Sequence, residues 1–287
     1  MPANRVTPLV HRDPLGGTYY LLSFRHPEAA HEARPGQFVM MKAGVSAEPP
    51  LRRPFSILSV DSAADTVTLF LKAVGQGSQA LASLAPGDVA QCLGPLGRPF
   101  TPPPAGTEAL LVAGGYGVAP FRFLAEELRR SGARARLFYG GRTRNDLPLL
   151  PKLQELGITV VPATEDGSLG AHGRVTAPLE TYLDSMTAPV RLYACGPEPM
   201  MHAVSKLAGA RGLEAEVSLD TWMGCGMGTC LGCVVRIQAP QETRPKYRCA
   251  CTEGPVFDAA RVVWPGDETS HARRSASGGA EAAGARG

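Results

Sequence analysis

Five of the seven cysteines crowd into one glycine-rich stretch near the carboxyl end of the chain: Cys225, Cys230, Cys233, Cys249 and Cys251. The first three have the spacing C-x4-C-x2-C, and a later cysteine completes the plant-type spacing for a [2Fe–2S] cluster. Glycine fills four of the ten positions from 224 to 233, which lets the backbone bend sharply and aim N–H groups at cluster sulfurs. These residues therefore predict an iron–sulfur site.

Structural zinc and reduced, unligated thiols are the two alternatives for these cysteines. Four thiolates would hold zinc, with Cys230 and Cys233 as one pair and Cys249 and Cys251 as the other. Zinc gives no role to Cys225 or to the glycines, so the iron–sulfur cluster is favoured. Reduced cysteines without a ligand are disfavoured by the crowding of the thiols. Spacing alone does not decide between Cys249 and Cys251 as the fourth ligand.

Two motifs in the first third of the chain are able to bind an anionic, aromatic cofactor. Arg-Pro-Phe-Ser at 53–56 combines a phosphate-binding guanidinium with a nearby hydroxyl. Lys-Ala-Val-Gly-Gln-Gly-Ser at 72–78 joins a predicted strand to a helix N-terminus, whose N–H groups suit a pyrophosphate. Taken alone, the first motif is more typical of an ordinary strand with an exposed arginine. Together the two motifs indicate a flavin site.

Two glycine-containing turns lie further along the chain, each between a predicted strand and a predicted helix. Residues 110–120 contain three glycines but depart from the dinucleotide fingerprint, because Pro120 occupies the third glycine position. Residues 193–200 place Cys195 beside a Gly-Pro turn. Ligands bind at this edge of open α/β sheets, so a nicotinamide contact is predicted for Cys195. The alternative is a small core residue, which is the usual role of a lone cysteine.

The preferred nucleotide is not fixed by the sequence. No acid ends the strand that follows the first glycine-containing turn, whereas Arg142 and Arg144 come directly after that strand. These arginines would contact a 2′-phosphate, or they are solvated surface charge. NADH is the expected nucleotide, and NADPH is not excluded.

The elements that must position these motifs fall into two patterns. Residues 5–100 read as six short strands with one short helix at 78–84, which predicts a small antiparallel barrel. After a proline-rich segment, apolar strands alternate with helices, which predicts a parallel sheet covered on both faces. The expected divisions are 1–102 (FAD-binding barrel), 103–220 (nucleotide-binding α/β domain), 221–265 (cluster domain) and 266–287 (disordered tail).

Composition excludes several classes of protein. With 44% hydrophobic and 19% charged residues, the 287-residue chain is neither largely disordered nor a coiled coil. A net charge of +3 gives no nucleic-acid footprint. No apolar run approaches the ~20 residues that span a bilayer, and the amino-terminal residues lack the apolar stretch of a secretory signal. A cytoplasmic protein is therefore expected.

The order of these motifs resembles the ferredoxin-reductase superfamily with a carboxyl-terminal [2Fe–2S] module. More narrowly, about residues 5–264 resemble the electron-transfer subunits of class 1B dihydroorotate dehydrogenases. The most specific match is WMGCGMGTCLGC with CTEGPVF, because that family carries a similar cysteine loop and closing segment. On that match Cys251 is the fourth ligand, and Cys249 is an extra thiol that could permit ligand exchange.

The resemblance implies three sets of site residues. FAD would be held by Arg53, Pro54, Phe55, Ser56, Lys72, Ala73, Val74, Gly75, Gly77 and Ser78, with Ser56 near the reactive ring edge. The nicotinamide nucleotide would be bordered by Gly114, Gly115, Gly117, Pro120, Cys195, Gly196 and Pro197. The cluster would be held by Cys225, Cys230, Cys233 and Cys251. No catalytic residue is assigned beyond the position of Cys195 near the nicotinamide.

The resemblance also implies a function. Electrons would pass between NAD(H), FAD and the cluster, and from there to or from a partner's flavin, because a nicotinamide exchanges two electrons and a cluster only one. The six histidines are scattered and no acid–base pair for an organic substrate is visible. The pyrimidine-oxidising step is therefore expected in a separate FMN-containing subunit, in a heterotetramer with two copies of each chain.

Two rival functions remain at the level of sequence. The same architecture suits diaphorase-type subunits of cytoplasmic hydrogenases, sulfide dehydrogenases or transhydrogenating ferredoxin–NADP reductases. A regulator that binds zinc or a nucleotide without turnover is a different class with the same fold. Met227 and Leu231 on the cysteine loop are candidates for a partner-docking surface, and ordinary loop packing is the alternative for both.

Overall fold

A computed structural model describes residues 4–45 and 51–266. In this part of the chain a closed antiparallel barrel is followed by a largely parallel sheet with helices, and then by a short hairpin in the cysteine-rich segment. The predicted fold class is confirmed for the barrel and the sheet. The predicted disordered tail lies outside the described residues, except for Gly266.

The barrel has the strand order β1-β2-β5-β4-β3-β6. Its strands are β1 (Asn4–Gly16), β2 (Tyr19–Arg25), β3 (Phe38–Ala43), β4 (Arg53–Asp61), β5 (Thr66–Lys72) and β6 (Val89–Leu96). Inward side chains such as Leu22, Ile57 and Leu69 are almost fully buried. Helix α1 (Pro27–Glu32) was not predicted, although Nδ1 of His26 caps it by accepting the Ala29 N–H at 3.3 Å. Helix α2 (Gln76–Ala82) begins two residues earlier than predicted.

The second sheet has seven strands, of which six are parallel and follow the order β10-β9-β8-β7-β11-β12. They are β7 (Glu108–Gly114), β8 (Ala135–Gly141), β9 (Thr159–Thr164), β10 (Ala171–His172), β11 (Val190–Cys195) and β12 (Ala215–Ser218). The connecting helices are α3 (Ala119–Arg130), α4 (Leu150–Gln154), α5 (Thr176–Ser185) and α6 (Glu198–Ala210), of which α5 was not predicted. Every residue of β7 is buried, as its continuous apolar run requires. Over residues 4–45 and 51–266, no helix is long and apolar enough to cross a membrane.

The cysteine-rich segment adds three strands. Strands β13 (Val234–Ile237) and β14 (Lys246–Cys249) pair as an antiparallel hairpin that the sequence analysis missed. Strand β15 (Val256–Asp258) returns to the second sheet and pairs antiparallel with β12. The segment is therefore joined to the α/β sheet by backbone hydrogen bonds rather than by a loose linker.

An apolar cluster and several polar contacts, one of them at Glu216, fix the barrel against the α/β sheet. Tyr19 and Phe70 of the barrel stack on each other and belong to the same buried cluster as Val118 and Phe121 of the α/β region. Glu216 on β12 accepts hydrogen bonds from the backbone N–H and the hydroxyl of Thr101, at 2.9 and 2.7 Å. Because Thr101 directly follows the barrel and Glu216 lies on β12, these contacts hold the segment after the barrel against the α/β sheet.

Candidate cofactor and nucleotide sites

The cysteine loop lies directly on the end of the barrel. Met223, Cys233 and Cys251 belong to one buried cluster with Met40 of β3 and Leu96 of β6. Gly226 has a φ of +73°, and a Cβ there would lie 2.7 Å from the Cγ of Met40. Glycine is thus required at this position both by conformation and by close packing. The glycines predicted to shape the loop also bring it into contact with the barrel.

Backbone N–H groups point at the first two thiols of the loop. The N–H of Met227 donates to Cys225 Sγ at 3.3 Å, and that of Gly232 donates to Cys230 Sγ at 3.5 Å. Burial would raise the pKa of Cys225, but hydrogen bonds from the Thr229 hydroxyl and from two backbone N–H groups outweigh it and lower the pKa to about 6. A thiolate is the form that binds iron, so this loop is prepared for metal.

Two candidates for the fourth ligand face Cys233. Cys251 is 1% exposed, and burial followed by its neighbour Cys233 raises its pKa to about 12. Cys249 is less buried, and its Sγ lies 3.9 Å from the carbonyl oxygen of Gly228. Burial and then the charge of Cys233 raise the pKa of Cys249. Geometry therefore brings both thiols to the site, and the assignment of Cys251 stays a prediction.

The thiols of the cysteine-rich segment do not form the ligand set of a single metal ion. Among the described residues, no three His, Cys, Asp or Glu side chains converge on one metal position. Zinc–sulfur bonds of ~2.3 Å would bring four thiols to one point, whereas a two-iron cluster holds its ligands further apart. The donor set and the N–H groups aimed at sulfur fit a [2Fe–2S] cluster.

The predicted flavin residues on β4 form a partly open strip. Arg53, Pro54, Phe55 and Ser56 are each half-buried, whereas the next two residues of the strand are fully buried. The aliphatic part of Arg53 lies against the start of α2, because a Cβ at Gly77 would be 3.1 Å from its Cγ. Arg52 instead donates to Asn4 and Gln91 at 3.0 Å, so it belongs to the barrel framework.

In the second flavin motif some residues are exposed, whereas the Ser78 hydroxyl already makes hydrogen bonds within the turn. The hydroxyl of Ser78 accepts the N–H groups of Val74 and Gly75 at 3.1 Å, so this buried side chain shapes the turn. Gly75 is exposed and a Cβ there would meet nothing within 4 Å. Ala73 is half-buried and Val74 is 72% exposed. An elongated anionic cofactor fits along this strip, with Arg53 at one side.

Lys72 lies at the junction of the barrel and the α/β domain. Its ammonium is 4.8 Å from the centre of the Tyr19 ring and 3.9 Å from Oδ1 of Asp146. The Tyr19 hydroxyl also donates to Oδ1 of Asp146, at 3.3 Å. Asp146 follows β8 at the carboxyl edge of the sheet. Lys72, a predicted flavin residue, therefore also links the barrel to the α/β domain through Asp146.

Two loops meet at the carboxyl edge of β7 and β11. A Cβ at Gly117 would lie 2.5 Å from the carbonyl oxygen of Cys195, and one at Gly114 would lie 2.6 Å from Cδ of Pro197. A Cβ at Gly196 would lie 2.8 Å from the backbone nitrogen of Gly114. These three glycines permit the loops to touch each other. Gly115 differs, because its φ is +55° and nothing lies within 4 Å of its Cβ position.

The lone cysteine of this edge is a buried thiol. Cys195 is 6% exposed, and burial, followed by the charge of Asp220, raises its pKa to about 12. It is therefore a protonated thiol rather than a thiolate nucleophile in this setting. Pro120 is buried in the first turn of α3, and Pro197 is exposed at the start of α6.

Sequence reasoning missed a pair of residues above Cys195. The Tyr116 hydroxyl donates to Oδ2 of Asp220 at 3.1 Å. Tyr116 was noted only as part of the glycine-containing turn, and Asp220 was not singled out. A usable signal did exist: Asp220 directly follows a predicted strand at the carboxyl edge, where ligands bind.

The two arginines after β8 have different surroundings. Arg144 is held by Ser168, which accepts from its backbone N–H at 2.8 Å and from its guanidinium at 3.1 Å. Arg142 has a 77% exposed side chain, 3.8 Å from Oδ2 of Asp146. The structure leaves the guanidinium of Arg142 accessible, and the preference between NADH and NADPH stays undecided.

Three family models match consecutive parts of the chain. Residues 7–100 match an oxidoreductase FAD-binding domain, and residues 111–206 match an oxidoreductase NAD-binding domain. Residues 220–263 match the iron–sulfur cluster binding domain of dihydroorotate dehydrogenase B. The predicted FAD, nucleotide and iron–sulfur domains are therefore confirmed as domain types.

Curated relatives match over most of the chain. The electron transfer subunit of dihydroorotate dehydrogenase B (NAD(+)) from Desulforamulus reducens is 38% identical over 247 residues, which are 86% of this chain and 93% of the relative. The corresponding subunit from Bacillus caldolyticus is 40% identical over 232 residues, which are 80% of this chain and 87% of the relative.

Two solved structures show the same architecture. The NADH-dependent reduced ferredoxin-NADP oxidoreductase structure is 25% identical, with a TM-score of 0.80 over 96% of this chain and 100% of that one. A ferredoxin reductase of carbazole 1,9a-dioxygenase is 23% identical, with a TM-score of 0.64 over 74% of this chain and 66% of that one. The second likeness concerns the fold alone.

Proposed function

The chain belongs to the family of dihydroorotate dehydrogenase B electron transfer subunits, and we propose that it passes electrons between NAD(H) and a partner subunit that oxidises dihydroorotate in pyrimidine biosynthesis. One observation carries the proposal. Met40 packs against Gly226 of the cysteine loop and pairs directly with Pro54 of the flavin motif on the next strand. Neighbouring strands are ~4.8 Å apart, so the two cofactor sites are separated by little more than one strand.

The residues have separate tasks in this proposal. When bound, FAD and the [2Fe–2S] cluster supply the redox chemistry, dividing a two-electron exchange into single-electron ones. Arg53 and the turn at Gly75 hold the flavin's anionic part, and the strip on β4 positions its ring. The loop from Cys225 to Cys233, with Cys251 as fourth ligand, holds the iron. The edge at Gly115 receives the nicotinamide nucleotide.

The partner is proposed to dock on the cysteine loop. Three large apolar side chains are exposed there: Trp222 at 92%, Met227 at 53% and Leu231 at 61%. Exposed apolar groups that surround a redox centre suit a protein interface, since an interface excludes water and shortens the path to the partner's cofactor. We propose an FMN-containing catalytic subunit as the partner, in a heterotetramer with two copies of each chain.

The organic chemistry is assigned to the partner. Three buried acid–base side chains are already hydrogen-bonded within the fold. Glu108 accepts from Tyr182, Glu216 accepts from Thr101, and His26 accepts a backbone N–H. None of them lies in the nucleotide edge or the cysteine loop. We further propose a cytoplasmic location, since all seven cysteines are free thiols and five of them serve or flank a cluster site.

The proposal is tested on the purified chain, alone and with its partner. The chain alone should contain FAD and about two iron and two acid-labile sulfide per chain, and NADH should bleach its flavin absorbance. Dihydroorotate should have no effect on the chain alone and should reduce it only when the FMN subunit is present. Oxidation of dihydroorotate by the isolated chain would contradict the division of labour.

A second candidate is a subunit of a ferredoxin–NADP oxidoreductase. It is favoured by the TM-score of 0.80 to such a structure, which covers nearly all of both chains. The identity of 25% is lower than the 38% to the Desulforamulus reducens subunit, so the first candidate is preferred. Copurification with an FMN protein that turns over dihydroorotate, rather than with a larger ferredoxin-dependent subunit, separates the two.

A further inference from the structure

Tyr116 and Asp220 meet across three neighbouring strands of the α/β sheet. Tyr116 follows β7, Cys195 ends β11 and Asp220 follows β12, and these strands are adjacent in that order. Two strand spacings amount to roughly 9.6 Å. The phenol ring therefore reaches over the end of the middle strand to place its hydroxyl 3.1 Å from Oδ2 of Asp220.

The middle strand ends at the predicted nicotinamide site. The thiol of Cys195 lies close to both Asp220 and Tyr116. Burial is the main cause of its raised pKa and the charge of Asp220 is the second cause, and the thiol in turn contributes to the raised pKa of Tyr116. The loops beside it are packed closely together at Gly114, Gly117 and Gly196. The contact between Tyr116 and Asp220 crosses the end of this middle strand, where the nicotinamide ring is predicted to bind.

The phenol of Tyr116 stays protonated whether the hydrogen bond is made or broken. Burial, followed by the neighbouring carboxylate, raises the pKa of Tyr116 to about 12, so the phenol remains a donor at neutral pH. Tyr116 is 54% exposed, so its ring can leave the hydrogen bond toward solvent.

We propose that the Tyr116–Asp220 pair is a bar across the nicotinamide subsite, which the nicotinamide ring must displace before it reaches Cys195. The inference rests on the proposed function, because it assumes that NAD(H) binds at this edge. The adenosine half of the nucleotide binds further along the sheet and does not meet the bar. Opening the bar costs one hydrogen bond, and that cost weakens binding of the complete dinucleotide.

The effect on affinity follows from the strength of such a bond. A hydrogen bond of this kind contributes a net ~1 kcal/mol, so its removal should tighten nicotinamide binding about fivefold. Tyr116→Phe removes the hydroxyl and keeps the ring. Asp220→Ala removes the acceptor and should have the same effect. The double variant should bind no tighter than either single one, because only one bond is lost.

The test is equilibrium binding to the full chain with its flavin and cluster in place. NAD+ and ADP-ribose, which lacks the nicotinamide, are titrated calorimetrically into the wild type and the variants. Tyr182→Phe is the matched control, because its hydroxyl donates to Glu108 at 2.8 Å at the opposite edge of the same sheet. We expect Tyr116→Phe to bind NAD+ about fivefold more tightly and ADP-ribose with unchanged affinity.

Each different outcome overturns a defined part of the proposal. If NAD+ binds Tyr116→Phe no more tightly than the wild type, the pair is not a bar. If NAD+ and ADP-ribose both tighten equally, the pair does not act on the nicotinamide half. If the wild type binds ADP-ribose but Tyr116→Phe binds NAD+ no more tightly than the wild type, the bar is refuted and the proposed function still stands. If the wild type binds neither ligand, the proposed nucleotide site is wrong and the bar falls with it.

Discussion

Cys225 and Cys195 occupy opposite kinds of site in one molecule. The thiol of Cys225 receives hydrogen bonds from Thr229 and from backbone N–H groups, which overcome burial and lower its pKa to about 6. The thiol of Cys195 lies in a buried position beside a carboxylate, which raises its pKa to about 12. The same side chain is thus a thiolate in the cysteine loop and a buried, protonated thiol at the sheet edge.

The contrast extends to the surroundings of each thiol. The cysteine loop packs through Met223 and Cys233 into a buried cluster with the barrel, as suits a cofactor that remains bound. The sheet edge instead leaves Gly115 and Tyr116 facing open space, as suits a nucleotide that enters and leaves. Cys225 and Cys195 therefore differ in their surroundings: hydrogen bonds dominate at Cys225 and burial dominates at Cys195.

The largest effect is expected from removing a thiol of the loop. Cys225→Ser should reduce the iron content from about two per chain to nearly none, because serine does not supply the thiolate that the cluster needs. Iron and acid-labile sulfide analysis, with cryogenic EPR of the reduced protein, measures the loss. The matched control is Cys195→Ala, which should keep full iron and the wild-type EPR signal. Equal iron loss in both variants would remove the contrast between the two sites.

A second effect concerns the reactivity of the two thiols once the cluster has been removed. A pKa of about 6 leaves Cys225 mostly as thiolate at pH 7, whereas Cys195, with a pKa of about 12, remains a thiol. The thiolate is the form that attacks iodoacetamide and displaces its iodide, so Cys225 should react at least about 100-fold faster. Its rate should rise with pH and reach half its maximum near pH 6.

Peptide mass spectrometry over a range of pH measures this second effect. As the pH rises, labelling of the peptide that contains Cys225 should go from absent to complete. The peptide that contains Cys195 should stay unlabelled up to about pH 9. A Cys225 rate that still rises between pH 8 and pH 9 would show that the N–H groups do not stabilise its thiolate.

A third effect tests the packing of the sheet edge. Gly117→Ala places a Cβ 2.5 Å from the carbonyl oxygen of Cys195, so the two loops must separate. Overpacking of this kind costs about 2 kcal/mol in the free energy of unfolding. Gly209→Ala in α6 is the control, because nothing lies within 4 Å of its Cβ position and alanine favours the helix. Urea denaturation compares them, and equal stabilities would mean that the edge yields easily.

The sequence was most informative where one residue pattern served one structural need. The all-apolar run of β7 predicted a buried parallel strand, and the spacing from Cys225 to Cys233 predicted the iron–sulfur domain. Helix α1 was missed because its six residues include three that are polar or charged, although His26 and Pro27 at its start are a recognisable cap. Short elements are held by tertiary contacts more than by their own pattern.

Contacts between distant segments could not be predicted from one sequence. The glycines after β7 were interpreted as room for a nucleotide, but Gly114 and Gly117 are needed mainly for contact with the loop after β11. The pair of Tyr116 and Asp220 is separated by 104 positions, and only the order of strands brings it together. Local spacing indicates which chemistry is present, and the topology determines which residues share it.

The smallest effect is expected at the extra thiol of the cysteine loop. Cys249→Ser should retain near wild-type iron and sulfide, because Cys249 is the less buried of the two late cysteines and lies on β14, outside the fully buried cluster that contains Cys251. A modest change in EPR line shape is expected, since Cys249 lies beside Cys233 and affects its electrostatic surroundings. Cys251→Ser is the matched comparison and should lose the cluster as Cys225→Ser does. If Cys251→Ser keeps iron with an altered EPR signal, and only the double variant loses it, then Cys249 can replace Cys251 as ligand, and the cysteine loop is less rigid than its packing on the barrel indicates.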